Sequence, residues 1–137
     1  MPDLDRFIEA QDRVLADVRA ELAAGRKRSH WMWFVFPQLD GLARSETARF
    51  YALHSLDEAR AYLAHPILGP RLLDCTALVN AVEGRSIHQI LGSPDDLKFH
   101  SCMTLFAAAD PAEPAFRQAL QKYYGAARDE GTTRLLS

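Results

Sequence analysis

Lys98, Ser101 and Thr104 follow one another at three-residue steps in DDLKFHSCMTLFAAA, so they share one lane of any helix that carries them. An ammonium and two hydroxyls inside an otherwise apolar segment need partners or water. One solution is local: Lys98 runs its stem out to solvent, and each hydroxyl bonds the carbonyl one turn back. The other is a polar pocket wall that receives an anionic or hydroxyl-rich ligand. A second group of candidates lies in RKRSHWMWFVFPQLDGL, Arg26 to Leu42, which holds both tryptophans of the chain. Trp31 and Trp33 offer flat surfaces for stacking a base, although core volume is the commoner use of an indole. His30 is a histidine, the side-chain type that ordinarily titrates near neutrality, and is the candidate for proton transfer or for a donor to phosphate. Gln38 borders the aromatic block, and Arg71 adds a further cation.

These residues together suit a pocket for a small phosphate-containing molecule, such as a nucleotide or an ADP-ribose derivative. Lys98 and Arg71 would hold phosphate, Trp31 or Trp33 would stack the base, and Gln38, Ser101 and Thr104 would hydrogen-bond the rest. The alternative is a non-catalytic protein-interaction module, which requires both indoles to be exposed and contiguous. A third reading keeps every one of these residues as packing and hydrogen bonding alone. Nucleic-acid binding through Arg26, Lys27 and Arg28 is disfavoured, because the net charge is only −2; a solvated cationic helix end explains those residues more simply. Whether the protein is an enzyme stays open. No phosphate-binding glycine loop, nucleophile elbow or zinc-protease motif occurs, and no His/Cys spacing suits a metal, so neither cofactor nor metal is expected.

Positioning such groups calls for a scaffold, and the patterning predicts a helical one. With 137 residues, 48% hydrophobic and 25% charged, the chain suits one globular domain able to bury its own core. Apolar positions at three- and four-residue steps predict a helix from Leu4 to Leu22, with Asp3 as cap and Gly25 as stop. Gln11 interrupts that seam and must brace a neighbouring backbone or face a pocket. The stretch from His30 to Phe36 suits a short helix or a buried strand; with no partner strand in view, a helix or irregular turn is preferred. A capping box at Ser55 and Glu58 starts a helix to about His65, a longer helix follows from Ile67 towards Gly84, and Ser86 with Gln89 opens a short turn. Ser93 and Pro94 begin a central helix reaching about Ala108, and Asp110-Pro111 begins a last helix closed by Gly125. Residues 126–137 read as a polar, loosely packed tail apart from Leu135 and Leu136. The expected fold is therefore all-α, a single domain of five to seven helices with no significant sheet. Cys75 and Cys102 sit in apolar helical patterns and are expected to be reduced core residues. With no apolar run long enough for a membrane span and an acidic rather than basic opening, the protein is expected to be cytoplasmic.

SHWMWFVFPQLDGL, YLAHPILGPRL and DDLKFHSCMTLF, in this order and spacing, resemble a small bacterial domain-of-unknown-function family often mislabelled "calpastatin". The resemblance runs over nearly the whole chain. It implies a compact, mainly helical domain and the motif positions His30, Trp31, Trp33, Gln38, Arg71, Lys98, Ser101 and Thr104, and it carries no reaction with it. This sequence departs from the family pattern at Gly41-Leu42-Ala43, where similar proteins read Gly-Leu-Gly, and His100 is not a position the resemblance marks as essential. Calpastatins proper are long and largely disordered, so the inhibitor label does not fit a short helix-patterned chain.

Overall fold

The computed structural model describes residues 3–137. Among them are ten helices: α1 (Asp5–Asp12), α2 (Leu15–Ala23), α3 (Met32–Val35), α4 (Glu46–Phe50), α5 (Leu56–Ala64), α6 (Leu68–Ala81), α7 (Ile87–Leu91), α8 (Asp95–Ala109), α9 (Pro114–Tyr124) and α10 (Glu130–Leu136). The all-α class holds, and the only strand-like pairing among the described residues is an isolated parallel bridge between Leu39 and Leu53. The expected count of five to seven helices does not hold, for three local reasons.

The helix expected from Leu4 to Leu22 breaks at Arg13-Val14. Its halves serve different neighbours, α1 packing on α3 and α2 on α6. At the break Gln11 donates to the Phe34 carbonyl at 2.6 Å and meets the Tyr62 hydroxyl at 3.0 Å, which is the bracing role. The connection after the aromatic block contains α4, capped by Ser45 Oγ accepting from the Ala48 amide. The C-terminal stretch contains α10, capped by Asp129. Within it Thr132 is fully buried whereas Leu135 is exposed, the reverse of what hydropathy alone suggests.

Elsewhere the punctuation works much as read. Ser55 caps α5 and a reciprocal Ser86/Gln89 box opens α7. Two starts shift by a few residues: α8 takes Pro94 rather than Ser93 as its cap, and α9 begins at Pro114 behind Glu113, with Asp110 confined to the preceding turn. Between α5 and α6, His65 Nδ1 accepts from the Ile67 and Leu68 amides and so stands in for a cap.

Helix α8 is the centre. It packs against α5, α7, α9 and α10 and buries residues on all sides, Phe99, Cys102, Met103 and Phe106 among them. The aromatic block reaches it through an edge-to-face pair of Phe36 and Phe99, 5.0 Å between ring centres, and a second such pair joins Phe7 to Tyr62 at 5.1 Å. Each large apolar side chain buried this way contributes about 1.5–3 kcal/mol relative to exposure. Among the described residues no helix is long and apolar enough to cross a membrane.

Candidate functional site

Three segments distant in sequence meet beside the N-terminal half of α8 and enclose a cleft of about 480 Å³. From α8 come Lys98 and Ser101, one turn apart, with Leu97 and Pro94 at the rim. The end of the aromatic block supplies Trp33 and Gln38, and the loop after it Leu42 and Ala43. The start of α10 supplies Asp129 and Gly131. Each segment is fixed by main-chain bonds. The Gln38 carbonyl accepts from the Leu53 amide at 3.0 Å, and the Asp40 amide donates to the Leu53 carbonyl at 2.8 Å, so the loop cannot swing freely. Gly131 allows α10 to approach: a Cβ there would come within 3.1 Å of Leu42 Cδ2.

Half of the residues singled out in the sequence line this cleft: Trp33, Gln38, Lys98 and Ser101. Trp31 is fully buried, its indole N–H donating to Glu21 Oε1 at 3.0 Å, so its ring faces the core. His30 is exposed ahead of α3 and is not among the lining groups. Arg71 lies on α6, held by Asp12 at 2.8 Å and by Gln11 at 3.4 Å. Thr104 sits one turn below Ser101; its hydroxyl donates to the His100 carbonyl at 2.8 Å and accepts from the Asp129 amide at 2.9 Å. It thus anchors α10 without lining the cleft. With Trp31 inside and Trp33 half-buried, the aromatic stretch presents no exposed pair of indoles.

Asp129 is the lining residue that sequence reasoning missed. Its Oδ2 accepts from Ser101 Oγ at 3.1 Å, from the Thr132 amide at 3.0 Å and from Thr132 Oγ1 at 2.6 Å. The readable signal was Asp-x-x-Thr, a helix-cap spacing, inside a stretch with no apolar period. All three bonds fall on Oδ2, and among the described residues no hydrogen bond to Oδ1 is found.

The charge of Lys98 is arranged around Asp95, which lies behind the lining. Its carboxylate lies 3.2 Å from Lys98 Nζ and 2.9 Å from Lys27 Nζ, whose side chain is only 8% exposed. Each ammonium also lies over an indole, Lys98 at 3.8 Å from the Trp33 ring centre and Lys27 at 5.0 Å from that of Trp31. An ammonium over the ring face meets the negative side of the indole quadrupole, which fixes both partners. Behind this, Glu21 gathers the loop that precedes α3. Partial burial works against its charge, yet bonds from the Ser29 hydroxyl, the Arg28 amide, the Trp31 indole and the Ser29 amide outweigh it and bring the carboxyl down from 4.5 to about 2.

The thiols are the opposite case. Burial pushes Cys75 up to about 11 and Cys102 well above its ordinary value, so neither is an activated nucleophile. Both are free and buried, as their apolar patterns suggested. Among the described residues no three His, Cys, Asp or Glu side chains converge to hold a metal ion. His100 stacks on Tyr124 with ring centres 3.9 Å apart and meets the Ala127 carbonyl through Nε2 at 2.7 Å, which ties the end of α9 to α8.

A family described as "Protein of unknown function (DUF1810)" matches residues 1–136. The chain belongs to this family. It is also similar to a solved structure, the conserved hypothetical protein Rv1873 from Mycobacterium tuberculosis, at 58% identity over 98% of this chain and 96% of that one, with a TM-score of 0.97. No curated protein matches the chain. For this DUF1810 chain, then, the comparisons carry the helical fold and leave function to the chemistry of the cleft.

Proposed function

We propose that the cleft beside α8 binds a small phosphate-containing molecule with a flat ring and hydroxyls, of the nucleotide or ADP-ribose class. The observation that carries this reading is convergence: Trp33 and Gln38 from one motif meet Lys98 and Ser101 from another far along the chain, on a single concave surface. The volume suits a ligand of that size. Leu97, 61% exposed, supplies apolar surface at the rim beside Trp33, against which a ring can lie. The Gln38 amide offers both a donor and an acceptor. Asp129 Oδ1 accepts from a hydroxyl such as that of a ribose, and Lys98 brings a cation to the acidic end. His30 and Arg71 lie outside this arrangement, so the reading is of binding, with no proton-transfer residue assigned.

Isothermal calorimetry and thermal unfolding with AMP, NAD and ADP-ribose test it. The expected result is saturable binding and a raised melting temperature, weakened by Lys98→Met and unchanged by His30→Ala. Absence of any response to all three ligands at millimolar concentration overturns it.

A further inference from the structure

A second concavity, about 400 Å³, adjoins the cleft and shares Ala43 with it. Arg44, Arg49 and His54 line it together with Asp40 and Gly41. Among the described residues neither Arg44 nor Arg49 has a side-chain hydrogen bond or ion pair. Several other arginines share that state, Arg26 and Arg117 among them, whereas the guanidiniums of Arg6, Arg71 and Arg85 are tied to main-chain carbonyls or carboxylates; what Arg44 and Arg49 add is that both line one concavity. The one carboxylate present is already engaged: Asp40 Oδ2 lies 3.5 Å from His54 Nδ1, and its Oδ1 accepts from the Gly41 amide at 3.0 Å. Two guanidiniums against one carboxylate make this basin locally cationic in a chain whose net charge is −2.

Its walls are built on fixed backbone. Ser45 caps α4, which carries Arg49, and the Leu39–Leu53 bridge holds Asp40 next to the residue before His54. Arg6 braces the far side by donating to the Phe50 and Ala52 carbonyls at 2.6 Å and 3.1 Å. Gly41, at φ +101°, makes the turn ahead of Ala43, which lines both concavities, and Arg44, which lines the second. The first cleft, by contrast, is close to neutral. Its single ammonium is shared with Asp95 and the Trp33 ring, and Asp129 stands among its lining groups. A pyrophosphate would carry more negative charge than Lys98 alone can balance there.

We infer that Arg44, Arg49 and His54 form an anion subsite that takes a phosphate or pyrophosphate group, continuous across Ala43 with the cleft that takes the ring. The planar fork of each arginine pairs with two phosphate oxygens at once, and two such forks in one concavity select a multiply charged anion over a carboxylate. The link between the two subsites rests on the ligand class proposed above; the anion subsite itself does not.

The test uses the full chain, with amide chemical-shift mapping and calorimetry, and inorganic pyrophosphate, adenosine and ADP-ribose as probes. Arg44→Ala with Arg49→Ala alters two exposed side chains, and an unchanged melting temperature confirms that the variant is folded. Pyrophosphate is expected to move the amides of residues 40–54 in the parent protein and not in the double variant. ADP-ribose is expected to bind the double variant at least about tenfold more weakly, with adenosine unaffected. Binding of ADP-ribose to the double variant as tightly as to the parent, or pyrophosphate leaving residues 40–54 unmoved, overturns the subsite even if adenosine still binds the cleft. Pyrophosphate shifts confined to residues 40–54, with no response to adenosine, sustain the subsite and remove the ring-binding reading instead.

Discussion

Ser101 Oγ and Asp129 Oδ2 lie 3.1 Å apart, joining the middle of α8 to the cap of α10. The same oxygen takes two bonds from Thr132, one of them from a hydroxyl on a fully buried residue. Removing the carboxylate therefore removes a cap and strands a buried donor at once. Asp129→Ala should cost about 2–4 kcal/mol, read as a fall in the urea midpoint. Ser101→Ala keeps both Thr132 bonds and should cost only about 1 kcal/mol. Equal losses in the two variants would contradict the cap role.

The Lys27–Asp95–Lys98 group predicts an asymmetry. Asp95→Ala leaves the nearly buried Lys27 ammonium with no counter-ion, and breaking such a pair from one side costs about 3–5 kcal/mol. Lys27→Met gives up the ammonium over the Trp31 ring but leaves Asp95 its partner Lys98 and strands no buried charge, so the loss should be clearly smaller. Thermal unfolding of the two variants side by side decides the order.

Glu21 sets an acid limit. Its carboxyl titrates at about 2 in the folded protein against an ordinary 4.5, so the folded state binds its proton later than the unfolded state does. The stability it confers is complete above pH 4.5 and is lost as pH falls from there through 2. Glu21→Gln should accordingly be less stable than the parent at neutral pH, with the difference closing across that window. A gap that stays constant from neutral pH down to 2 would rule out Glu21 as its source.

Gly69 is required by contact rather than by torsion. A Cβ at this position would stand 2.0 Å from the Leu63 carbonyl oxygen, backbone against backbone where α5 turns into α6. Gly69→Ala should cost at least about 1–3 kcal/mol. Gly84 has nothing within 4 Å of such a Cβ but sits at φ +73°, so Gly84→Ala should cost about 1 kcal/mol from the left-handed backbone alone. Differential scanning calorimetry ranks the two.

Helical periodicity and cap chemistry made much of this fold legible. The cap at Ser55, the reciprocal box at Ser86 and the break at His65-Pro66 follow from local rules that operate within one turn. At Ser55 the box stays half-formed, because Glu58 Oε1 accepts from the His54 amide instead, and α8 is buried on all sides only from Phe99 onward, with Leu97 exposed. What stayed hidden depends on partners from elsewhere. The spacing singles out Gln11 as polar on an apolar seam, but nothing within α1 announces its partners, the Phe34 carbonyl and the Tyr62 hydroxyl, or the break that follows at Arg13-Val14. Trp31 and Trp33 are alike in sequence, and what separates them is an acceptor on α2, Glu21, that reaches only the first. Asp129 lies in a polar run, and its role becomes visible only when Ser101 and Thr104 stand beside it. Of the lining, Lys98 and Ser101 were legible as an anomalous polar lane and Trp33 and Gln38 as members of the aromatic motif. Leu42, Ala43, Asp129 and Gly131 come from the loop after α3 and the start of α10, where apolar periodicity says nothing.

The unequal fates of the two tryptophans equip the protein with its own ratiometric optical probe. Trp31, 1% exposed and bound through its indole nitrogen, should be shielded from collisional quenchers and emit as a steady blue reference. Trp33, half-buried at the cleft and faced by an ammonium, should supply the quenchable, environment-sensitive component. Acrylamide should extinguish the second signal and spare the first, and occupancy of the cleft should be readable from their ratio without attaching a dye.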